Sequence, residues 1–161
     1  MKVALGLGSS LGPRRRQLER AVCALDAHLQ VEVLRVSRWL RTPPMRGGTA
    51  RGWFLNGVAL VETTLSPVEL LGVCQQLEAR AGRRRARHWG DRTLDLDLLV
   101  ADGVISDEPR LQLPHPGIFS RTFVYAPLLE VWPDAPDGVG GLLRDHAAPS
   151  VPRPSLWPHL D

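Results

Sequence analysis

From its second residue the chain alternates. In "KVALGLG", Val3, Leu5 and Leu7 fall on one side and Ala4, Gly6 and Gly8 on the other, which predicts a strand covered on one face and closely approached on the other. A helical period follows: after a turn in "SSLG" and Pro13 at the helix start, Leu18, Ala21, Val22, Leu25 and Leu29 form one stripe. "VEVLRVSRWL" returns to a β-branched strand pattern whose alternation slips near Leu34, and the Pro- and Gly-rich "RTPPMRGGTARG" after it reads as a loop. "FLNGVALVET" predicts the next strand. Ser66, Pro67 and Glu69 have the spacing of a capping box, Leu70, Cys74, Leu77 and Ala81 make a second helical stripe, and Gly82 stands where that helix should stop. After an arginine-rich loop, "LDLDLLV" predicts a last strand ending near residue 100. The order β-α-β-β-α-β is that of an α+β, ferredoxin-like core, an antiparallel sheet with two helices on one face.

The remainder is a C-terminal extension. "LPHPGIFSRTFVYAPLLEVWPD" predicts a helix around Phe119 to Val131 interrupted at Pro127, and a Pro-rich, loosely ordered tail runs from about residue 148 to 161. With 161 residues, 43% of them hydrophobic, and no repeat or linker, a single domain with its core in about residues 1–135 is expected. No apolar run approaches the roughly 18 residues needed to span a bilayer, and the N-terminus lacks a cleavage site, so the reading is cytoplasmic. Cys23 and Cys74 sit on the two helical segments without metal-ligand spacing, as buried free thiols do. A net charge of +3 hides a lopsided composition, because every basic residue except Lys2 is arginine. Arg80, Arg83, Arg84, Arg85, Arg87 and Arg92 crowd together. Such a run suits a solvated face, a nucleic-acid patch or a phosphate-binding loop.

Two carboxylates interrupt the last strand. Alternation puts Thr93, Asp95, Asp97 and Leu99 on one face and Leu94, Leu96, Leu98 and Val100 on the other, with the leucines making the core. The Cα atoms of Asp95 and Asp97 are then about 6.6 Å apart by the strand rise, close enough to grip one cation or a pair. A generic D-x-D on a half-exposed strand simply faces solvent. Here hard oxygen donors without histidine or thiol favour Mg²⁺, which joins one or two carboxylates to substrate phosphates, and the arginines just before the strand bind phosphate oxygens bidentately. Together they suggest phosphoryl transfer from a nucleotide without a P-loop, since no G-x-x-x-x-G-K-[ST] occurs.

"HWGDRTLDLDLL", "RTPP…FLN" and "PHPGIFSRTFVYAPLLEVWPD", with "GLGSSLG" near the start, closely resemble the 6-hydroxymethyl-7,8-dihydropterin pyrophosphokinase family of folate biosynthesis, in the family's order from residue 5 to about 134. The resemblance implies the ferredoxin-like fold and transfer of the β,γ-pyrophosphoryl group of ATP to the pterin hydroxymethyl oxygen, releasing AMP. It implies that Asp95 and Asp97 bind two Mg²⁺ ions, and that Arg83 and Arg92 act with them in catalysis. Arg83, Arg85, Arg92, His115 and Arg121 would contact phosphates, with Trp89 in a loop closing over ATP. Gln75, Glu78, His88, Leu98 and Arg110 would complete the ATP site. Phe54 and Phe123 would sandwich the pterin, with Asn56, Thr42 and the stretch Pro43, Pro44 and Met45 reading its edge. ATP and the pterin are the implied partners of a monomer, with no nucleic acid and no membrane.

The chain departs from the family pattern in places. Ser10 stands where the family commonly has Asn, Asp91 replaces a Pro or small residue and adds a negative charge near a phosphate site, and His88 occupies a position that is often arginine. The loop from Gly82 to Trp89 is one residue short, so Arg87 competes with His88 as phosphate ligand. A ferredoxin-like RNA-binding module is the alternative, but it calls for an RNP-type aromatic stretch that is absent. A metabolite-binding regulatory domain would give the carboxylate pair no reason to face an arginine loop.

Overall fold

The computed structural model describes residues 1–44, 48–82 and 90–146. In chain order the elements are β1 (Lys2–Ser9), α1 (Arg14–Asp26), β2 (Val31–Val36), β3 (Leu40–Thr42), β4 (Phe54–Thr63), α2 (Pro67–Arg80), β5 (Asp95–Ala101), β6 (Ser106–Glu108), β7 (Leu111–Leu113) and α3 (Thr122–Val131), with short 3-10 helices at Pro116–Ile118 and Leu143–Asp145. The main sheet runs β2-β4-β1-β5, with β3 added on β4, and every pairing is antiparallel. That is the ferredoxin-like order, and β6 and β7 form a separate hairpin.

One face is the expected leucine core. Val3, Leu5 and Leu7 of β1 meet Leu94, Leu96 and Leu98 on the segment through β5, under Leu18, Ala21 and Leu25 of α1 and Leu70 and Cys74 of α2. α2 starts with the full capping box, Ser66 Oγ accepting from the Glu69 N–H and the Glu69 carboxylate from the Ser66 N–H, and it gives way to Gly82 at φ +79°. Leu34 is the extra residue of a bulge between β2 and β4, which accounts for the slipped alternation.

Several expectations need correction. α1 ends at Asp26, whose carboxylate accepts the Val33 N–H at 2.9 Å, so Leu29 lies beyond the stripe and is fully exposed. Cys23 is exposed because it sits two residues, about 200°, away from buried Leu25; Cys74 is buried, and burial pushes its thiol up to about 12. In the last turns of α2 the buried position goes to Glu78, with Leu77 and Ala81 only partly buried. β5 is the sheet edge, and Glu78 Oε1 accepts the Leu96 N–H at 2.8 Å, satisfying a backbone donor on that edge.

On the second face Ala4, Val58, Leu60, Leu99 and Val100 pack against Tyr125, Leu128, Val131 and Trp132, so the C-terminal extension adds a third layer. Val100 was expected beside Leu98. The register jumps from Leu5↔Leu98 to Ala4↔Val100, leaving Leu99 as a bulge residue and moving Val100 to the α3 side. α3 starts at Thr122, after the separate 3-10 turn, and continues through Pro127 instead of breaking there. Proline removes one helical hydrogen bond, to the Phe123 carbonyl, while burial of Tyr125, Pro127, Leu128 and Val131 holds the helix together. Tyr125 also donates its hydroxyl to the Leu143 carbonyl at 2.9 Å. No helix among the described residues is long and apolar enough to cross a membrane.

Candidate active site

α3 covers only part of the second face, and where it stops the ends of β4 and β5, on either side of β1, line a cavity of about 230 Å³. Pairing places Asn56, Gly8 and Asp95 in one cross-strand row and Val58, Gly6 and Asp97 in the next. The central strand therefore contributes no side chain between the polar groups at its flanks. A Cβ at Gly8 would lie 2.8 Å from Asn56 Oδ1, so glycine is what lets the amide lie across β1. Asn56 Nδ2 donates to Thr42 Oγ1 at 2.7 Å, which fixes the amide against β3.

The carboxylates differ. Asp95 Oδ2 accepts from Arg92 Nη1 at 2.8 Å. Burial pushes the Asp97 carboxyl up to about 7, helped by the charges of Asp95 and Glu78 and opposed by Arg121 and Arg92. A carboxyl so far above its ordinary range is short of positive charge, which a hard cation would supply. Among the described residues no cluster of three or more His, Cys, Asp or Glu forms a closed cage. Two carboxylates beside a cavity with room for phosphates suit Mg²⁺, which takes its other ligands from substrate and water.

Opposite them stand His115 and Arg121. The His115 N–H donates to the Leu99 carbonyl at 2.7 Å, and its Nδ1 accepts the Gly117 N–H at 2.9 Å, which leaves the ring hydrogen on Nε2. Burial and then the Arg121 charge lower its pKa, with Asp95 opposing, which favours the neutral ring with its hydrogen on Nε2. A Cβ at Gly117 would fall 3.0 Å from His115 Nδ1 and 3.2 Å from Arg121 Cζ, so glycine again permits the approach. Phe54, at the start of β4, and Phe123, in the first turn of α3, supply the aromatic walls.

Residues 4–133 match the model of the family described as 7,8-dihydro-6-hydroxymethylpterin-pyrophosphokinase (HPPK). The chain belongs to the HPPK family. It is similar to the 2-amino-4-hydroxy-6-hydroxymethyldihydropteridine pyrophosphokinases of Methylorubrum extorquens, 43% identical over 130 residues (81% of this chain, 82% of the relative), and Bacillus subtilis, 40% identical over 127 residues (79% and 75%). Its fold is similar to an HPPK-DHPS crystal structure in complex with substrates (TM-score 0.62, 10% identity, 89% of this chain and 42% of that one). It is likewise similar to wild-type Plasmodium falciparum HPPK-DHPS (TM-score 0.61, 11% identity, 89% and 40%). The chain spans about two fifths of the length of those two structures, and that likeness concerns the fold alone. HPPK activity is pyrophosphoryl transfer from ATP to 6-hydroxymethyl-7,8-dihydropterin in folate biosynthesis, and the RNA-binding alternative finds no support in these matches.

The HPPK resemblance had singled out residues scattered over three motifs, and many of them converge. Thr42, Pro43, Phe54 and Asn56 come from β3 and β4, Arg92, Asp95 and Asp97 from β5 and its approach, and His115, Arg121 and Phe123 from the extension; all line this cavity. Met45, Arg83, Arg85, His88 and Trp89, together with Arg87, lie outside the described residues. Pro44 is described but does not line the cavity. Gln75 is exposed on α2, Glu78 is buried beneath β5 instead of facing solvent, and the Leu98 side chain belongs to the helix-side core. Arg110 is exposed at the turn of the β6–β7 hairpin. The sequence reading missed the glycines at positions 8, 90 and 117. Their only signal was glycine at alternate positions of a strand or beside a motif histidine.

Proposed function

We propose that HPPK catalysis in this chain takes place on the uncovered part of the sheet, with Asp95 and Asp97 holding Mg²⁺, two ions in this reading. Bound Mg²⁺ would neutralise phosphate oxygens and make the β-phosphorus more electrophilic. In the reaction the pterin hydroxymethyl oxygen attacks the β-phosphorus of ATP, the bond from that phosphorus to the oxygen bridging the α-phosphate breaks, AMP departs and the hydroxyl proton is released. No protein nucleophile is needed, so this chain's residues act by position and charge. Arg121 and Arg92 bind phosphate oxygens, and Arg83 and Arg85, outside the described residues, are assigned the same role by the family resemblance alone. His115 donates from Nε2 as a neutral group. Phe54 and Phe123 hold the pterin ring between them, and Asn56 and Thr42 read its edge beside Pro43. We propose a monomer and place it in the cytoplasm, where ATP is supplied.

The observation that carries this reading is that one cavity collects residues from three motifs separated by up to 81 positions, from Thr42 to Phe123. Incubation with Mg-ATP and 6-hydroxymethyl-7,8-dihydropterin, followed by separation of the nucleotides, tests it. AMP should form only when the pterin is present. ADP formation would mean simple phosphoryl transfer and would overturn the reading.

A further inference from the structure

Ser10 and Asp91, both departures from the family pattern, meet in space. Asp91 Oδ1 accepts from Ser10 Oγ at 3.1 Å and from the Gly52 N–H at 3.0 Å, and Oδ2 accepts from the Arg51 N–H at 3.1 Å. Ser10 Oγ in turn accepts the Arg92 N–H at 2.9 Å, while the Ser10 N–H donates to the Arg92 carbonyl at 2.8 Å. Burial alone would raise the Asp91 carboxyl. The N–H groups of Arg51 and Gly52, the Ser10 hydroxyl and the Arg14 charge together hold it below its ordinary range, as expected of an engaged carboxylate. The fit around it is close: a Cβ at Gly52 would lie 2.9 Å from the Ser10 carbonyl oxygen, 3.2 Å from Asp91 Oδ1 and 3.3 Å from Arg14 Nη2. Arg14 also donates from Nε to the Trp53 carbonyl at 3.0 Å and lies over the Trp53 ring, 4.0 Å from its centroid.

This knot joins the end of β1, the segment leading into β4 and the segment leading into β5. Within one or two residues each of those segments reaches the cavity or its lining: Gly8 pairs with Asn56, and Phe54 and the Arg92 side chain line it. The Arg92 backbone is held at both its N–H and its carbonyl, which fixes the root of a guanidinium that reaches Asp95 at 2.8 Å. We propose that Asp91 is a positioning residue of this enzyme: through Ser10 and Gly52 it fastens the pterin-side wall, which begins at Phe54, to the phosphate-side wall that carries Arg92. The negative charge introduced beside a phosphate site is thereby directed at backbone N–H groups. The proposal rests on the cavity being the substrate site.

The variants Asp91→Ala, Asp91→Asn and Gly52→Ala test it, alongside Ser10→Ala and the Ser10→Ala/Asp91→Ala pair. Asparagine keeps one acceptor oxygen but presents an NH₂ group that cannot accept from the Arg51 N–H. Without substrates, amide exchange at Arg51 and Gly52 should accelerate about tenfold in Asp91→Ala, the amount expected from losing one hydrogen bond's net contribution. The KM for the pterin should rise about tenfold in the same variant and less in Asp91→Asn, whereas loss of folded enzyme lowers kcat and leaves KM unchanged. Because Ser10 Oγ also accepts the Arg92 N–H, the double variant should be worse than Asp91→Ala alone, but by less than the sum of the two single changes. If Asp91→Ala does not fold, Asp91→Asn and Gly52→Ala carry the same two readouts. Unchanged exchange at Arg51 and Gly52 would show that the knot does not hold them, and faster exchange with an unchanged pterin KM would show a purely structural role; either result overturns the proposal. If wild-type protein makes no AMP from ATP and the pterin, the site reading fails, and the exchange data still report whether the knot exists.

Discussion

The two faces of the sheet use the same strands to opposite ends. On the helix side Leu5, Leu7, Leu96 and Leu98 stand under two helices and are nearly inaccessible. On the other side the neighbouring positions are Gly6, Gly8, Asp95 and Asp97, and the carboxylates remain within reach of solvent. A leucine stripe needs only cover, which any amphipathic helix of the right length provides. A carboxylate stripe needs an uncovered surface, and it gets one because α3 packs on Val58, Leu60, Leu99 and Val100 and stops short of the strand ends. One side therefore supplies stability, while the other retains groups whose mutual repulsion works against it.

The largest effect should come from the polar side. Asp95→Ala or Asp97→Ala should lower AMP formation by a factor on the order of 100–1,000 at saturating Mg²⁺, with the circular dichroism spectrum unchanged. Near-normal turnover in either folded variant would remove the metal assignment. Leu70→Ala makes the reverse cut, since Leu70 is fully buried on the helix side. It should cost about 3 kcal/mol of stability in urea titration, with kcat of the folded fraction changed by no more than about threefold. A larger fall in kcat would mean that the faces are not separable.

A smaller effect sharpens the contrast through pH. The Asp97 carboxyl, pushed up to about 7 by burial, Asp95 and Glu78, keeps its proton in the folded state at pH values where the unfolded chain has released it. The folded state then binds more protons, so stability falls as pH rises from about 4 to 7. In metal-free solution Asp97→Asn should be more stable than wild type by roughly 1–3 kcal/mol at pH 8 and equal to it near pH 3. Equal stability at both would mean that Asp97 is already compensated. The smallest effect lies off both faces: hydrogen bonding from His146, then from the Val139 N–H, with that of Gly141 also contributing, brings Asp137 down to about 2. Its contribution is present above about pH 4 and lost as pH falls toward 2, so Asp137→Asn should flatten that part of the acid unfolding curve without changing turnover.

Much of the fold was legible because the signals were local. The capping box at Ser66, the φ-permissive Gly82 and the slip at Leu34 all act within a few residues, and the structure keeps each where the pattern put it. What failed depended on partners distant in sequence. Glu78 continues a helical stripe with no sign that an edge-strand N–H waits beneath it, and Leu29 follows the stripe of a helix that Asp26 has already turned toward Val33. Pro127 reads as a break, but the burial of its neighbours carries the helix through. In the site, Asp95, Asp97 and the motif residues were legible as chemistry, whereas the uncovered part of the face was not, because it depends on where α3 ends. Asp91 read as an intruding charge because Arg51, Gly52 and Ser10, its partners, lie 39 to 81 residues away.

The bulge at Leu99 turns the location of the carboxylates into a question of parity. Between Asp97 and Ala101 the strand carries one residue more than its partner, so the half holding the aspartates and the half held by α3 are counted from opposite phases. Deleting that one residue would leave Leu98 opposite Leu5 and Val100 opposite Ala4, so each half would keep its side and the α3 face would lose only one leucine. Pairing Leu99 into the ladder with every residue kept would instead force a choice: either Val100 and Ala101 would exchange sides, unseating α3, or Asp95 and Asp97 would turn into the leucines. A single in-frame codon deletion at this point is therefore compatible with the phase of both halves, whereas straightening the full-length strand is not.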